Sequence, residues 1–142
     1  MNIEQFCAKK KLSFFDNSFD SIIECVMYLL KDTYNLEYCQ NIINNYIKEN
    51  FYSSRIQHFV TQNQTLKSLQ NDVFDYVVND HIALQALATH LEIEIYLLSL
   101  SKSKLQESIY PKIEPEVTYK KNRTLYIFKT CTNICHSYSA LI

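Results

Sequence analysis

This chain of 142 residues contains no glycine. That absence constrains its fold more than any motif does, because glycine alone takes a positive φ without steric cost. Every helix end or tight turn that needs a left-handed residue must use one carrying a Cβ. Asn and Asp tolerate that region best, so they are expected at those positions. The same absence removes whole function classes. Gly-rich phosphate loops and dinucleotide fingerprints need glycine where the backbone approaches phosphate, and none is available.

Composition bounds the rest. A hydrophobic share of 47% at this length supports one core that takes ~68% of the unfolded surface out of water, so residues 1–142 are read as a single domain. No apolar run approaches the ~20 residues that span a bilayer. Leu12–Phe15, after Lys9-Lys10-Lys11, is too short for a signal-peptide core, and an intracellular, cytoplasmic protein without a membrane partner is expected. The net charge of -1, with acids and bases interspersed, argues against a nucleic-acid partner. Five cysteines (Cys7, Cys25, Cys39, Cys131, Cys135) are odd in number and irregularly spaced, so no disulfide framework is expected. Cys131-x₃-Cys135-His136 has no partner pair to close a tetrahedral zinc site, and no metal or other cofactor is expected.

Apolar residues at helical spacing predict a first helix over about Phe19–Leu30, with Asp16 or Ser18 as its N-cap. A second is predicted over Leu36–Lys48, where Cys39, Ile42, Ile43, Tyr46 and Ile47 recur at i, i+3, i+4, i+7 and i+8. A third covers Tyr52–Val60 and a fourth Leu66–Val77. The next segment, Asn79-Asp80-His81-Ile82-Ala83-Leu84-Gln85-Ala86-Leu87-Ala88, is the most specific. Asp80 suits an N-cap, Leu84, Leu87, Ala88 and Leu91 share a helix face, and Ile93, Ile95 and Leu97 then alternate at strand spacing. A strand is therefore read over Glu92–Ser99. The polar stretch Ser101–Asn122, which holds both prolines, reads as a connection. Leu125-Tyr126-Ile127-Phe128 and Ser137–Ile142 read as further strands. Helices first and a compact sheet last make an α+β, or mixed α/β, domain: a small central sheet flanked by helices.

The block from Asn79 to Ser99 resembles the middle of the ovarian-tumour (OTU) family of cysteine proteases, which remove ubiquitin from proteins. In that family a Gly-Asp-His opens a helix whose Leu-Gln-Ala-Leu-Ala face packs under the following strand. The resemblance covers about Leu12 to Ile142. It implies an OTU-like, papain-type cysteine protease fold, ubiquitin or a ubiquitin-like protein as partner, and no cofactor.

A cysteine protease needs a thiolate at a helix N-terminus, a histidine to take its proton, and backbone N–H groups for the oxyanion. The resemblance implies Asp-Gly-Asn-Cys at the start of the first long helix and His-Tyr-x-x-Leu on the last strand. The first region reads Phe15-Asp16-Asn17-Ser18-Phe19-Asp20-Ser21-Ile22. With one residue deleted, Asp16-Asn17-Ser18 is the motif and Ser18 replaces the nucleophile. Matched without a gap, Asn17 stands there instead. In neither alignment is the residue a cysteine. Cys25, seven residues after Ser18, reads as an inert core residue.

At the other end, Cys135-His136-Ser137-Tyr138-Ser139-Ala140-Leu141-Ile142 offers His136 as the base. It has one extra residue between His and Leu, and a one-residue slip turns a strand side chain to the other face. Tyr138 stands where the family often has an orienting Asp or Asn, and Asn133 is a weak substitute. The candidate catalytic set is thus Asp16, Ser18 and His136, with Asn17 as the alternative nucleophile position. His81 is expected to pack or support, and His58 and His90 lie in predicted helices without ligand-spaced companions. The expected function is a catalytically impaired OTU-like domain that binds ubiquitin or another protein. The alternatives are an active isopeptidase using Ser18, native or replacing a cysteine, and a structural domain of a larger effector or toxin, which would place it in a host cytoplasm.

Overall fold

The computed structural model of the protein describes residues 2–31, 35–57, 60, 64–74, 80–101, 104–110, 123–131 and 136–142. Along the chain these form α1 (Ile3–Lys10), β1 (Phe14–Phe19), α2 (Ile22–Leu29), α3 (Leu36–Asn50), α4 (Ser54–Gln57), α5 (Leu66–Phe74), α6 (Asp80–Leu91), β2 (Glu94–Ser101), β3 (Lys104–Tyr110), β4 (Thr124–Cys131) and β5 (His136–Leu141). The expected mixed α/β class holds.

The five strands make one sheet in the order β1-β5-β4-β2-β3. β2 and β4 run parallel, from Glu94↔Thr124 to Ser99↔Lys129. The other neighbours are antiparallel. β5 is inserted between β1 and β4, so residues from the two ends of the chain pair directly: Phe14 faces Leu141 and Ser18 faces Ser139. Ser13 and Ile142 extend that pairing by exchanging backbone hydrogen bonds of 2.7 and 2.8 Å.

Side chains alternate across the sheet, so each strand contributes to two cores. One face carries Ile95, Leu125, Ile127, Tyr138 and Ala140 against Ile23, Val26, Ile43, Ile47, Leu84 and Leu87 of the helices. The other face carries Leu98, Phe128 and Leu141, covered by Ile3, Phe6 and Cys7 of α1. Leu84, Leu87 and Ala88 are fully buried, as the helical spacing predicts. Leu141 belongs to the α1 side of the sheet rather than to the face under α6. Its neighbour Ala140 takes the place on the α6 side.

Several predicted boundaries move. The first helix starts at Ile22 rather than Phe19, and its N-cap is Ser21, not Asp16 or Ser18. Phe14–Phe19 is instead a strand. Its edge finds backbone partners on β5, while Phe14 packs edge-on to Phe128 and Phe19 against Tyr28. The third predicted helix shrinks to Ser54–Gln57, and residues 58 and 59 lie outside the described set. The supposed connection over 101–122 contains β3.

The left-handed positions fall on Lys11 (φ 58), Lys31 (φ 55) and Glu92 (φ 55), not on the expected Asn or Asp. All three close helices. Beyond α1 and α6 the next residue's N–H reaches the carbonyl five residues back, Leu12 to Cys7 at 2.8 Å and Ile93 to Ala88 at 3.1 Å. That is the helix-terminating pattern in which glycine is usual.

Candidate functional site

The place to look for nucleophilic chemistry is the start of α2, where an extended strand meets the first long apolar helix. Ser21 ends the approach in a β conformation (φ -120, ψ 134). Its Oγ accepts from the backbone N–H of Ile23 at 3.1 Å and of Glu24 at 3.4 Å. These are two of the amides that a helix leaves unsatisfied at its N-terminus, where partial positive charge collects. Ser21 is 2% exposed, and among the described residues it is the polar side chain that the core encloses. It is held beneath the surface by its own helix.

The sequence-predicted residues stand elsewhere. Ser18 lies in β1, exposed, with its backbone paired to Ser139. Asp16 and Asn17 lie in the same strand, within the irregular stretch between the Phe14 and Ser18 pairings; their side chains are outside the described set. None of the three is at a helix N-terminus. His136 opens β5 and pairs with Cys131 of β4; its side chain is likewise outside the described set, as is all of Asn133. The β1–β5 register advances from Ser18↔Ser139 to Phe19↔Tyr138. β1 ends at Phe19, so Ser21 lies beyond the last of these pairs.

Sequence reasoning passed over Ser21 although a signal existed. Ser21-Ile22-Ile23-Glu24 has the Ser-x-x-Glu spacing that opens helices, directly before an apolar run. The shortened Asp16-Asn17-Ser18 likeness to Asp-Gly-Asn-Cys lies three residues upstream. Tyr138, at the position of an expected orienting acid, is a core residue with Lys129 Nζ 5.7 Å from its ring centroid.

The described thiols offer no substitute nucleophile. Cys25 is fully buried in α2, and burial pushes its thiol up to about 12. Burial also raises Cys39, and burial aided by the nearby Glu4 raises Cys7. A thiol shifted upward is protonated at neutral pH and unreactive. Cys135 and the side chain of Cys131 lie outside the described set, and with them the Cys-x₃-Cys-His cluster. Among the described residues no three His, Cys, Asp or Glu side chains gather to hold a metal. No described helix is long and apolar enough to cross a membrane.

No family model matches this sequence, and no curated protein sequence matches it. Solved structures do match. One is the crystal structure of an OTU deubiquitinase from Wolbachia pipientis wMel bound to ubiquitin, with a TM-score of 0.52 at 10% sequence identity. The match covers 90% of this chain and 97% of that one. At such identity the likeness speaks for the fold, and the mixed α/β fold of this chain is that of an OTU deubiquitinase.

Proposed function

We propose that this chain is an OTU-like domain that has lost the catalytic power of its cysteine protease relatives and works by binding ubiquitin or a ubiquitin-like protein. The observation that carries the reading is Ser21 at the head of α2, where a nucleophilic cysteine would be sought. A serine hydroxyl is hardly ionised at neutral pH, whereas a thiol at a helix N-terminus can titrate at ~3.5–7.5. Ser21 Oγ also occupies the Ile23 and Glu24 amides that could otherwise cradle an anion. Removing the nucleophile from a triad costs a factor of ~10⁶ in comparable enzymes. The ubiquitin-bound state of the structural neighbour is the ground for choosing ubiquitin as the partner. A binding role needs no nucleophile, only a surface that fits the partner.

A second reading is an active serine hydrolase in which Ser18 or Ser21 is activated by His136. In that case Ser21 has the helix N-terminus and Ser18 the exposure that the chemistry needs.

The test has two arms. Titration of the protein with ubiquitin, followed by NMR or calorimetry, is expected to give saturable binding. Incubation with ubiquitin chains and with an electrophilic ubiquitin probe is expected to give neither cleavage nor adduct. Cleavage that disappears in Ser21→Ala, Ser18→Ala or His136→Ala overturns the impaired reading and identifies the nucleophile or base. Absence of ubiquitin binding together with absence of cleavage overturns the ubiquitin reading altogether.

A further inference from the structure

Away from the head of α2, an open groove of about 360 Å³ runs along the seam between α3 and α6. One turn after another, α3 presents Tyr38, Asn41, Asn45 and Glu49 to it, and α6 adds Thr89 and His90. Its floor is apolar: Ile42 and Ala86 are buried there. The small side chain of Ala86 leaves the gap that a larger residue would fill. Tyr38 stands at the groove 41% exposed, its ring edge-on to His90 with centroids 6.4 Å apart.

The chemistry of the lining selects its ligand. Among the described residues Glu49 is its carboxylate, and neither lysine nor arginine lines the groove. A phosphate or carboxylate ligand would find no fixed cation there. A purely apolar ligand would bury the carboxamides of Asn41 and Asn45 without partners, which is costly. A planar cation with several N–H donors meets both demands. Its donors match the Glu49 carboxylate and the carboxamide oxygens of Asn41 and Asn45, and its face stacks on tyrosine or histidine rings. A guanidinium fits that description better than an ammonium, whose charge is compact and more strongly hydrated. From Tyr38 to Glu49 the α3 rim is ~16 Å long at 1.5 Å per residue. That length accommodates an extended side chain together with the backbone on either side of it.

We propose that the α3–α6 groove is a docking site for an arginine side chain carried on a partner peptide. It lies apart from the head of α2 and does not rest on the ubiquitin reading. The test is a ¹H–¹⁵N NMR titration of the whole chain with a short capped peptide, Ala-Arg-Ala. The isosteric citrulline peptide serves as the neutral control, and spermidine as a free cation. The arginine peptide is expected to give saturable shifts concentrated at Asn41, Asn45, Thr89 and His90, and the citrulline peptide much smaller ones. Glu49→Gln, an exposed change that leaves the core intact, is expected to weaken binding about threefold or more, in the range of an exposed ion pair. Ala86→Leu is expected to fill the groove and abolish the shifts. Equal responses to arginine and citrulline, no effect of Glu49→Gln, or shifts outside the groove would overturn the proposal. Binding of spermidine as tight as that of the arginine peptide would overturn the choice of a guanidinium.

Discussion

At the scale of single residues, the missing glycines set three local costs. Lys11, Lys31 and Glu92 each hold a left-handed backbone at the end of a helix. A residue with a Cβ pays roughly 1–2 kcal/mol there, and glycine recovers that at an entropic cost of roughly 0.5–1 kcal/mol. Replacing each by glycine is therefore expected to raise stability by about 0.5–1 kcal/mol, near-additively because the three sites are separate. Chemical denaturation of the single and triple variants checks this, and a loss of stability would mean that the side chains earn more than the backbone costs. Cys25 makes a second residue-scale prediction. Its thiol stands at about 12 in the folded protein against 9.0 unfolded. Below pH 9 both states hold the proton and the burial of the neutral thiol is fully retained. As pH rises from 9 toward 12 the unfolded state loses its proton first, so stability falls. Cys25→Ala is expected to flatten that part of the pH profile relative to the unaltered chain, which other alkaline groups also shape. Leu87, fully buried in α6, should cost ~2–5 kcal/mol on truncation to Ala. An unchanged melting midpoint would remove it from the core.

At the scale of elements, α2 is fastened at both ends by groups with different origins. Its head is capped from within by Ser21, and Ser21→Ala is expected to cost about 1–2 kcal/mol, since the freed amides lie at a buried cap. Its tail has no basic residue in the last turn. Arg123, from the entrance to β4, supplies the charge by donating from Nη2 to the Leu29 carbonyl at 3.0 Å. Arg123→Ala should destabilise by about 1 kcal/mol, and Arg123→Lys should restore part of it, because the helix C-terminus favours any cation. Thermal unfolding of the pair distinguishes charge from fork geometry. The Asp80–Ser101 region was legible because helical spacing hands over to strand alternation within a few residues, and both α6 and β2 obey it. β1 was not, because Phe14-Phe15-Asp16-Asn17-Ser18-Phe19 does not alternate cleanly; its pairing with β5 is irregular there. β3 hid in a polar stretch, as strands at a sheet edge commonly do. The candidate site suffered from the same cause. With β1 unseen, Ser18 took the helix-head position that belongs to Ser21, while His136 as the opening residue of the last strand lay within one residue of the predicted boundary.

At the scale of the whole molecule, the sheet is ordered so that β5, the last strand made, lies between β1, the first, and β4. Such non-local pairing slows folding, because loop closure precedes any reward from contact. It also has a consequence for the protein's birth. On the ribosome, β1 emerges with no neighbour and waits for all of α2 to β4 before Leu141 arrives to face Phe14. Until then a nascent domain with α2–α6 and β2–β4 in place holds a vacant slot beside β4, and β1 remains a loose ribbon. Two open backbone edges of that kind are templates for pairing with another copy. A chain stopped after residue 135 should therefore associate, with light scattering rising as its concentration rises. A peptide of residues 136–142 supplied in trans should return it toward the monomer by entering the slot. The domain is thus most exposed to error while residues 136–142 are missing from the sheet, since they decide whether its first strand finds a home or a stranger.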